Sequence, residues 1–315
     1  TGALTTGDVG DLLNPYDCEI APYRGVLLPS GPEFAPLGVF GLTSRQVSDG
    51  DNGLTISITG QDRAMGYQGP MDSALAISAG TPVEAAIAKL LATRNPGLSL
   101  DAMVSKFTVG PLLFAPDIDV WAEAQELAAS VGGVLFHDRT GQARFILAGP
   151  ASDTPVASFV EGGGLLLDVD RAEDSDTIKN VVRVESVDGL IYAVAEDTDT
   201  ASPTYSRGRY GRRPVTITNQ HVGSVTQAQQ AAGTRLAYEL GRSETVSFTA
   251  VPNPALDVQE VVTVHRPRAG LTQRALVVAT LDMPLGVTET MKVGCRKSVL
   301  SQDGAVLPFL DGNAA

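Results

Sequence analysis

Apolar and polar residues alternate with a period of two in the first part of the chain, which is the pattern of β-strands. The alternation is strictest at 54–59 (Leu-Thr-Ile-Ser-Ile-Thr), where we expect a half-buried strand. Shorter strand pieces are predicted at 18–21 and 24–28. The turn formers at 49–53 predict the loop before the alternating strand. We therefore expect a first tube-like β-barrel domain over residues 1–66.

Two amphipathic helices are predicted next, because apolar residues now recur with a helical period. Residues 81–84 (Thr-Pro-Val-Glu) combine a capping box with proline at the first helical position, so Thr81 and Glu84 are expected to bond each other's backbone amides. Either Asp117 or Asp119 caps the second helix. The apolar stripe of this second helix consists of Val120, Ala124, Leu127, Ala128 and Val131.

A β-hairpin follows the second helix directly. Gly132 and Gly133 end the helix, and residues 134–137 and 142–147 predict two strands around a turn. With the two helices, this hairpin defines an α/β insert over residues 67–150.

The pattern of strands returns from residue 155 onwards, with one more helix. Asp188 and Gly189 predict the turn of a hairpin, and a helix is predicted over 225–240. Further strands are predicted at 245–251, 261–266, 274–281 and 289–296. We expect a second β-rich barrel region over 151–300 and a weakly patterned C-terminal tail over 301–315. The predicted fold class is mostly β with an α/β insert, or α+β.

Similar strand pairs stand near the two ends of the chain. A strand at 38–43 and a second strand ending at 60–63 have counterparts at 275–280 and 294–296, and both second strands end in Gly and Arg. Two interpretations stay open: a chance similarity between hairpins, or two related β-barrels that flank the α/β insert.

Composition indicates a globular protein of two or three domains, because 43% of the 315 residues are hydrophobic and 19% are charged. No apolar run reaches the roughly 18 residues of a membrane span, and we expect neither a span nor a signal peptide. Cys18 and Cys295 are too few for a disulfide framework, and we expect free thiols in a cytoplasmic product. They pair only if the two ends of the chain meet.

The net charge of −13 argues against a surface that grips nucleic acid phosphates. It is compatible with plain solubility and with a surface past which DNA slides without sticking.

The motifs that usually carry catalysis or metal binding are missing from the sequence. It has no phosphate-binding glycine loop followed by Lys, no His-Glu-x-x-His, no Cys-x-x-Cys and no Gly-x-Ser-x-Gly. His137 stands beside Asp138 and Arg139, which suggests a catalytic site at first sight. Asp138 is explained as a turn residue and Arg139 by an exposed loop position. No second catalytic group accompanies them, so we expect scaffold, with no enzyme, cofactor or metal.

The densest acidic cluster, which we call the acidic run, leads into the predicted strand at residue 180. Its members are Asp168, Asp170, Glu173, Asp174 and Asp176. Three interpretations stay open: a solvated loop, a divalent cation site with oxygen ligands, and an acidic rim that faces DNA. The order of the residues does not match the twelve-residue calcium loop.

A polar segment at 202–214, which we call the Arg–Tyr loop, is expected to be mobile. Its basic and aromatic members are Tyr205, Arg207, Arg209, Tyr210, Arg212 and Arg213. Such a cluster docks an acidic protein partner, stacks on nucleic acid bases, or is a plain loop. The negative charge of the chain favours partner docking over nucleic acid.

The order of these parts resembles the tail-hub, or baseplate-hub, proteins of long-tailed bacteriophages and related injection systems. The stretches that carry the resemblance are residues 60–63, the helix and hairpin at 121–147, residues 178–184 and the turn at 249–254. The resemblance covers most of residues 10–300 and depends on order and spacing. Longer members continue into lysozyme-like or fibre-like domains, which do not follow within this sequence.

The resemblance implies a structural protein of the virion tail tip that is assembled in the host cytoplasm. It implies a homotrimer whose two tube-like barrels per chain form a ring that continues the tail tube and adapts six-fold to three-fold symmetry. Its partners would be tail tube and distal tail proteins and a central fibre or tip protein. DNA would pass without specific binding, because three chains carry 3 × −13 = −39 charges, a sign that repels phosphates.

In such a ring, the acidic run supplies the candidate channel-facing residues and the Arg–Tyr loop the candidate docking residues. Two other function classes stay open. A cell-wall hydrolase at a phage tip needs a perturbed acid with a partner base. A carbohydrate-binding adhesin needs aromatic residues along strand faces, but only 5% of the chain is aromatic and Trp121 lies on a predicted helix.

Overall fold

The fold is mostly β, with strands in 41% of the chain and helices in 16%, so the predicted α+β class is confirmed. The computed structural model describes residues 13–16, 18–51, 53–97, 99–147 and 154–297. The predicted tail at 301–315 lies outside these ranges. Within them, no helix is long and apolar enough to cross a membrane.

The first part of the chain forms two small sheets of hairpins. Its strands are β1 (Glu19–Ile20), β2 (Tyr23–Leu28), β3 (Gly31–Pro36), β4 (Phe40–Gly50) and β5 (Gly53–Asp62). β2 pairs with β3, and β4 lies between β1 and β5. The strand predicted at 54–59 belongs to β5, but it is not half-buried, because Leu54 and Ile58 are 56% and 43% exposed. We call the pair of β4 and β5 the long hairpin; most of its residues on both faces are exposed.

The next part packs two helices against short strands. After a 3-10 helix at Arg63–Tyr67, its elements are β6 (Leu75–Ile77), α1 (Val83–Ala92), β7 (Leu100–Ala102), β8 (Leu112–Phe114), α2 (Val120–Ala129), β9 (Gly133–His137) and β10 (Ala143–Leu147). Both predicted helices and the predicted hairpin are therefore present. All members of the predicted apolar stripe of α2 are fully buried.

The start of α2 is confirmed, whereas the capping box of α1 is wrong. Asp119 Oδ1 accepts a hydrogen bond from the Ala122 amide at 2.8 Å. Glu84 does not bond Thr81; its carboxylate accepts from the hydroxyl and the amide of Ser105 at 2.7 and 3.3 Å. α1 consequently starts without a side-chain cap.

The remainder of the chain forms one large sheet and a second α/β layer. Its elements are β11 (Ala157–Val160), β12 (Leu166–Glu173), β13 (Val181–Glu185), β14 (Tyr192–Glu196), β15 (Pro214–Thr218), α3 (Val225–Gly241), β16 (Glu244–Ala250), β17 (Val261–Arg266), β18 (Leu271–Asp282) and β19 (Met291–Lys297). The large sheet has the strand order β11-β17-β18-β19-β16-β12. The second α/β layer consists of β14, β13 and β15 with α3 against them. Each of these two parts, like the α/β insert, has its own hydrophobic core.

The large sheet curls around its core. Three strands separate β11 from β16 in the strand order, which corresponds to about 19 Å in a flat sheet with strands about 4.8 Å apart. The rings of Phe159 on β11 and Phe248 on β16 nevertheless lie 4.8 Å apart between centroids. Arg266 on β17 donates to the carbonyl of Leu167 on β12 at 3.0 Å. The sheet is therefore barrel-like, although its described edge strands β11 and β12 do not pair.

The two strand pairs of the predicted repeat share a β-bulge. In the long hairpin the register shifts at Thr43, beside Gly60. In the β18–β19 pair it shifts at Ala279, beside Gly294. These are the two glycines that the sequence pattern aligns, and bulges of this kind bend a strand pair locally. The matched bulges support a real relation between the hairpins, while two closed barrels and the domain boundaries stay predictions.

Candidate interaction surfaces

Residues 137–141, which we call the turn segment, have the conformation that turn chemistry predicts. Asp138 Oδ1 accepts hydrogen bonds from the amides of Thr140 and Gln142 at 2.9 and 3.1 Å, and Gly141 has a left-handed φ of 77°. Burial opposes ionisation of Asp138, but hydrogen bonds from Thr140 and Gln142 hold its pKa below the ordinary value.

The turn segment also joins distant parts of the chain. Arg139 is not at an exposed loop position as expected, because its guanidinium lies 3.2 Å from the carboxylate of Asp257 in the loop between β16 and β17. On the other side, Arg63 donates to the carbonyl of Gly141 at 3.2 Å and forms an ion pair with Glu19 on β1 at 2.7 Å. The segment therefore connects β1, the α/β insert and the large sheet.

His137 packs in an aromatic cluster. Its ring centroid lies 5.1 Å from that of Trp121 and 5.8 Å from that of Tyr67. Both of its ring nitrogens are buried without a hydrogen-bond partner. Burial lowers the pKa of His137 and raises the pKa of Tyr67 to about 12. Burial thus favours the neutral form of both side chains, and Trp121 on α2 packs against His137 at the end of β9.

The acidic run follows one edge of the large sheet. Asp168, Asp170 and Glu173 belong to β12, so three of the five residues lie on a strand and the solvated-loop interpretation does not hold for them. Asp174 and Asp176 lie in the bend that follows, and all five residues are exposed. Within the described chain they do not form a group that can hold a metal ion. Their predicted place in a channel stays a prediction.

Most basic and aromatic residues of the Arg–Tyr loop make contacts within the chain. Arg212 Nη1 lies 2.5 Å from Glu196 Oε2, and Arg207 Nε lies 3.7 Å from Glu196 Oε1. The Tyr210 hydroxyl donates to a backbone carbonyl in the acidic run at 2.5 Å. The guanidinium of Arg213 lies over the Tyr210 ring, 4.9 Å from its centroid. Arg207 and Arg212 are therefore paired with a carboxylate of the same chain, and Arg213 lies over an aromatic ring of the same chain.

Asp197 holds the same loop from the inside. Its carboxylate accepts hydrogen bonds from the hydroxyls of Ser202 and Thr204, both at 2.7 Å, and the residue is 1% exposed. Tyr205 is half-buried, and Arg209 is exposed. The loop is therefore tied down rather than loose, and its role in docking a partner stays a prediction.

A polar cluster that the sequence interpretation missed joins α2 to the second α/β layer. His221 Nε2 lies 2.7 Å from Glu123 Oε1. The Gln220 amide donates to the carboxylates of Glu123 and Glu126 at 2.7 and 3.2 Å. We call these four residues the Glu–His cluster. The available signal was the i,i+3 spacing of the two glutamates on the polar side of a predicted helix.

Seven exposed apolar side chains lie on the two N-terminal hairpins. They are 39–85% exposed and comprise Tyr23, Val26, Leu27, Phe34, Val47, Leu54 and Ile58. Arg24 on β2 donates to the carbonyls of Pro284 and Gly286, the latter at 3.2 Å, in the loop between β18 and β19. The β2–β3 hairpin thus contacts the loop of the β18–β19 hairpin through Arg24. Exposed apolar side chains such as those of the N-terminal hairpins occur at surfaces that bind protein partners.

The two cysteines do not form a disulfide, in agreement with the expectation of thiols. Cys295 is buried in the core of the large sheet. Burial raises its pKa to about 12, so this thiol is unreactive at pH 7.

Known proteins resemble this chain in fold and not detectably in sequence. No protein-family model matches it, and no curated protein matches it. A tail protein from Neisseria meningitidis MC58 matches with a TM-score of 0.62 and 17% identity, over 84% of this chain and 82% of that chain. The 43 kDa tail protein of prophage MuSo2 from Shewanella oneidensis matches with a TM-score of 0.61 and 14% identity, over 89% of both chains.

A third tail protein extends this result. The prophage tail protein gp18 from Listeria monocytogenes EGD-e matches with a TM-score of 0.53 and 10% identity, over 90% of this chain and 85% of that chain. Identities this low establish the fold alone. The fold of this chain is therefore the one found in phage and prophage tail proteins, as the resemblance in sequence implied.

Proposed function

We propose that this protein is a structural hub of a phage tail tip and no enzyme. It forms a homotrimeric ring that continues the tail tube, adapts six-fold to three-fold symmetry and lines the DNA exit channel. The observation that carries the proposal is the matching β-bulge in two hairpins from opposite ends of the chain, in a fold shared with tail proteins.

The occurrence of two similar hairpins in each chain suits a symmetry adaptor. Two related strand pairs per chain give 2 × 3 = 6 in a trimer, which matches a six-fold tube, while the rest of each chain occurs three times. The apolar side chains of the N-terminal hairpins are then buried against the next copy. The ring resides in the virion tail tip and contacts tail tube, distal tail and central fibre or tip proteins.

The channel is proposed to repel DNA. Asp168 and Asp170 on the exposed edge strand β12 are the candidates for its wall. Reversing both to Lys is expected to slow DNA ejection while assembly survives, because a basic wall holds phosphates. Unchanged ejection removes these residues from the lumen.

Mass photometry of the purified chain tests the ring. A trimer has a mass of 3 × 32.8 = 98.4 kDa. Leu27→Glu, at a position 85% exposed on β2, is expected to shift the population to monomers with an unchanged circular dichroism spectrum. Leu190→Glu, at a position 81% exposed in a distant turn, is the matched control and is expected to stay trimeric. A wild-type monomer that cleaves peptidoglycan, or that binds glycans, overturns the hub proposal in favour of the hydrolase or the adhesin.

A further inference from the structure

The Glu–His cluster has the donor atoms of a metal site. Glu123 and Glu126 stand three residues apart on α2, so both side chains project from the same side of the helix. His221 reaches them from the segment between β15 and α3. One carboxylate oxygen from each glutamate and a nitrogen of the imidazole lie within 4.8 Å of one another.

The charge around the cluster favours a cation. In the described ranges, neither glutamate forms an ion pair with Lys or Arg. Glu123 faces the imidazole of His221 instead. The Gln220 amide, a neutral group, bridges the two carboxylates. Two carboxylates faced by an amide and an imidazole leave a local negative charge that a divalent cation neutralises.

The imidazole is held in place before any ion arrives. The His221 side chain is 3% exposed. Its backbone is fixed on both sides, because its amide donates to Asn219 Oδ1 at 2.8 Å and its carbonyl accepts from the Gln227 side chain at 3.0 Å. Glu126 is exposed and leaves the cluster open to solvent on one side. A fixed nitrogen ligand beside a solvent-facing carboxylate gives an ion an entry path.

We infer that Glu123, Glu126, Gln220 and His221 bind a divalent transition-metal ion such as Zn²⁺, which cross-links α2 to the second α/β layer. Zinc lies about 2.0–2.2 Å from nitrogen and oxygen ligands, so ligand atoms around it are spaced by about 3.3 Å. The contact of 2.7 Å between Glu123 and His221 therefore opens by about 0.6 Å on binding. Rotation of the Gln220 amide by a half-turn supplies its oxygen as the fourth ligand.

The surroundings of the His221 imidazole determine the expected affinity for Zn²⁺. Its Nδ1 has no hydrogen-bond partner, and the ring lies edge-on to Phe114 at 6.0 Å between centroids. Tight zinc sites give this second nitrogen an acceptor, whose loss weakens binding by about ten- to a hundredfold. We therefore expect weaker binding than at a zinc site whose histidine has such an acceptor.

Titration calorimetry with ZnCl₂ on the full chain without a histidine tag tests the inference. One Zn²⁺ per chain is expected for the wild type. Glu126→Gln replaces an exposed, negatively charged ligand by a neutral and weaker one without disturbing the core, and is expected to weaken binding at least tenfold. Glu161→Gln, an exposed carboxylate on another part of the chain, is the matched control and is expected to bind as the wild type does.

Two further readouts separate this site from incidental binding. Zn²⁺ is expected to raise the melting temperature of the wild type and of Glu161→Gln, but not that of Glu126→Gln, and EDTA is expected to reverse the rise. Co²⁺ is expected to give a visible absorption band in the wild type that His221→Asn loses. Equal Zn²⁺ binding by the wild type and Glu126→Gln overturns the inference, as does the absence of binding by a folded wild-type chain. Neither result changes the outcome of the mass-photometry test for a trimer.

Discussion

Replacing Arg139 with Met removes a tie between the turn segment and the large sheet. In the native chain the guanidinium donates to the Asp257 carboxylate at 3.2 Å and to the Ala255 carbonyl at 2.9 Å. Methionine retains most of the apolar stem, so the variant loses the charged group and its hydrogen bonds rather than the packing. We expect a loss of stability without a change of fold.

The size of the loss follows from exposure and geometry. The side chains of Arg139 and Asp257 are 26% and 32% exposed, so solvent screens the ion pair and about 0.5–1 kcal/mol is assigned to it. The bond to Ala255 adds about 1 kcal/mol, whereas the contact with the Pro254 carbonyl at 3.5 Å is too long to add more. The sum is about 1.5–2 kcal/mol, or about 3–8 °C in melting temperature for a domain of 150–250 residues.

Thermal unfolding of Arg139→Met, Asp257→Asn and the double variant checks this value. The double-mutant cycle is expected to give a coupling of about 0.5–1 kcal/mol. Arg139→Lys keeps the charge without the planar fork and is expected to lie between the wild type and Arg139→Met. Arg209→Met changes an exposed arginine and is expected to stay within about 0.5 kcal/mol of the wild type. If Arg139→Met has the melting temperature of the wild type, or if Arg209→Met lowers the melting temperature as much as Arg139→Met does, the contacts of Arg139 do not stabilise the chain.

Three other changes probe packing and protonation. Burial lowers the pKa of His137, so the unfolded chain takes up the proton first and the folded state loses stability as the pH falls below about 6.5. In urea unfolding, His137→Phe is expected to lose less stability than the wild type between pH 7.5 and 5.5, and equal losses of stability in the two proteins contradict this. Asp119→Ala is expected to cost about 1–2 kcal/mol in thermal unfolding, because Asp119 also accepts from the Gly69 amide at 2.7 Å, and an unchanged melting temperature speaks against the cap. Gly60→Ala brings a Cβ within 2.8 Å of a backbone oxygen and is expected to speed hydrogen exchange in the long hairpin, whereas Gly50→Ala meets no atom within 4 Å; equal exchange in both refutes the crowding.

Local patterns predicted the elements, whereas the polar contacts depend on partners that no local window contains. The apolar stripe of α2 follows from the helical period alone, and all of it is buried. Glu84 has the spacing of a capping box but binds Ser105, which lies 21 residues further along the chain. The partner of Arg139 lies 118 residues away, so its sequence neighbours indicated an exposed loop. The Glu–His cluster escaped prediction for the same reason, because His221 meets Glu123 across 98 residues.

β12 illustrates a second limit, since its polarity is that of a loop. Asp168 and Asp170 pair in register with Thr249 and Ser247 on β16, and the other side of β12 is an edge of the large sheet. An edge strand keeps exposed charges at little cost, and charged side chains there discourage uncontrolled pairing with other strands. The hydrogen bonds to β16 make this segment a strand, and apolar periodicity does not reveal them.

The pairing of several arginines within the chain fits the proposed role of this protein in a DNA channel. Arg139, Arg207 and Arg212 each face a carboxylate of the same chain and brace a loop with it. Asp168 and Asp170 form no ion pair in the part of the chain that the structure describes, so they belong to the acidic surplus behind the net charge of −13. A smooth passage for DNA needs repulsion along the wall and few fixed cations that bind phosphates. Arginines that are paired within the chain leave few fixed cations for phosphates to bind. An edge strand that carries unpaired aspartates supplies the repulsion.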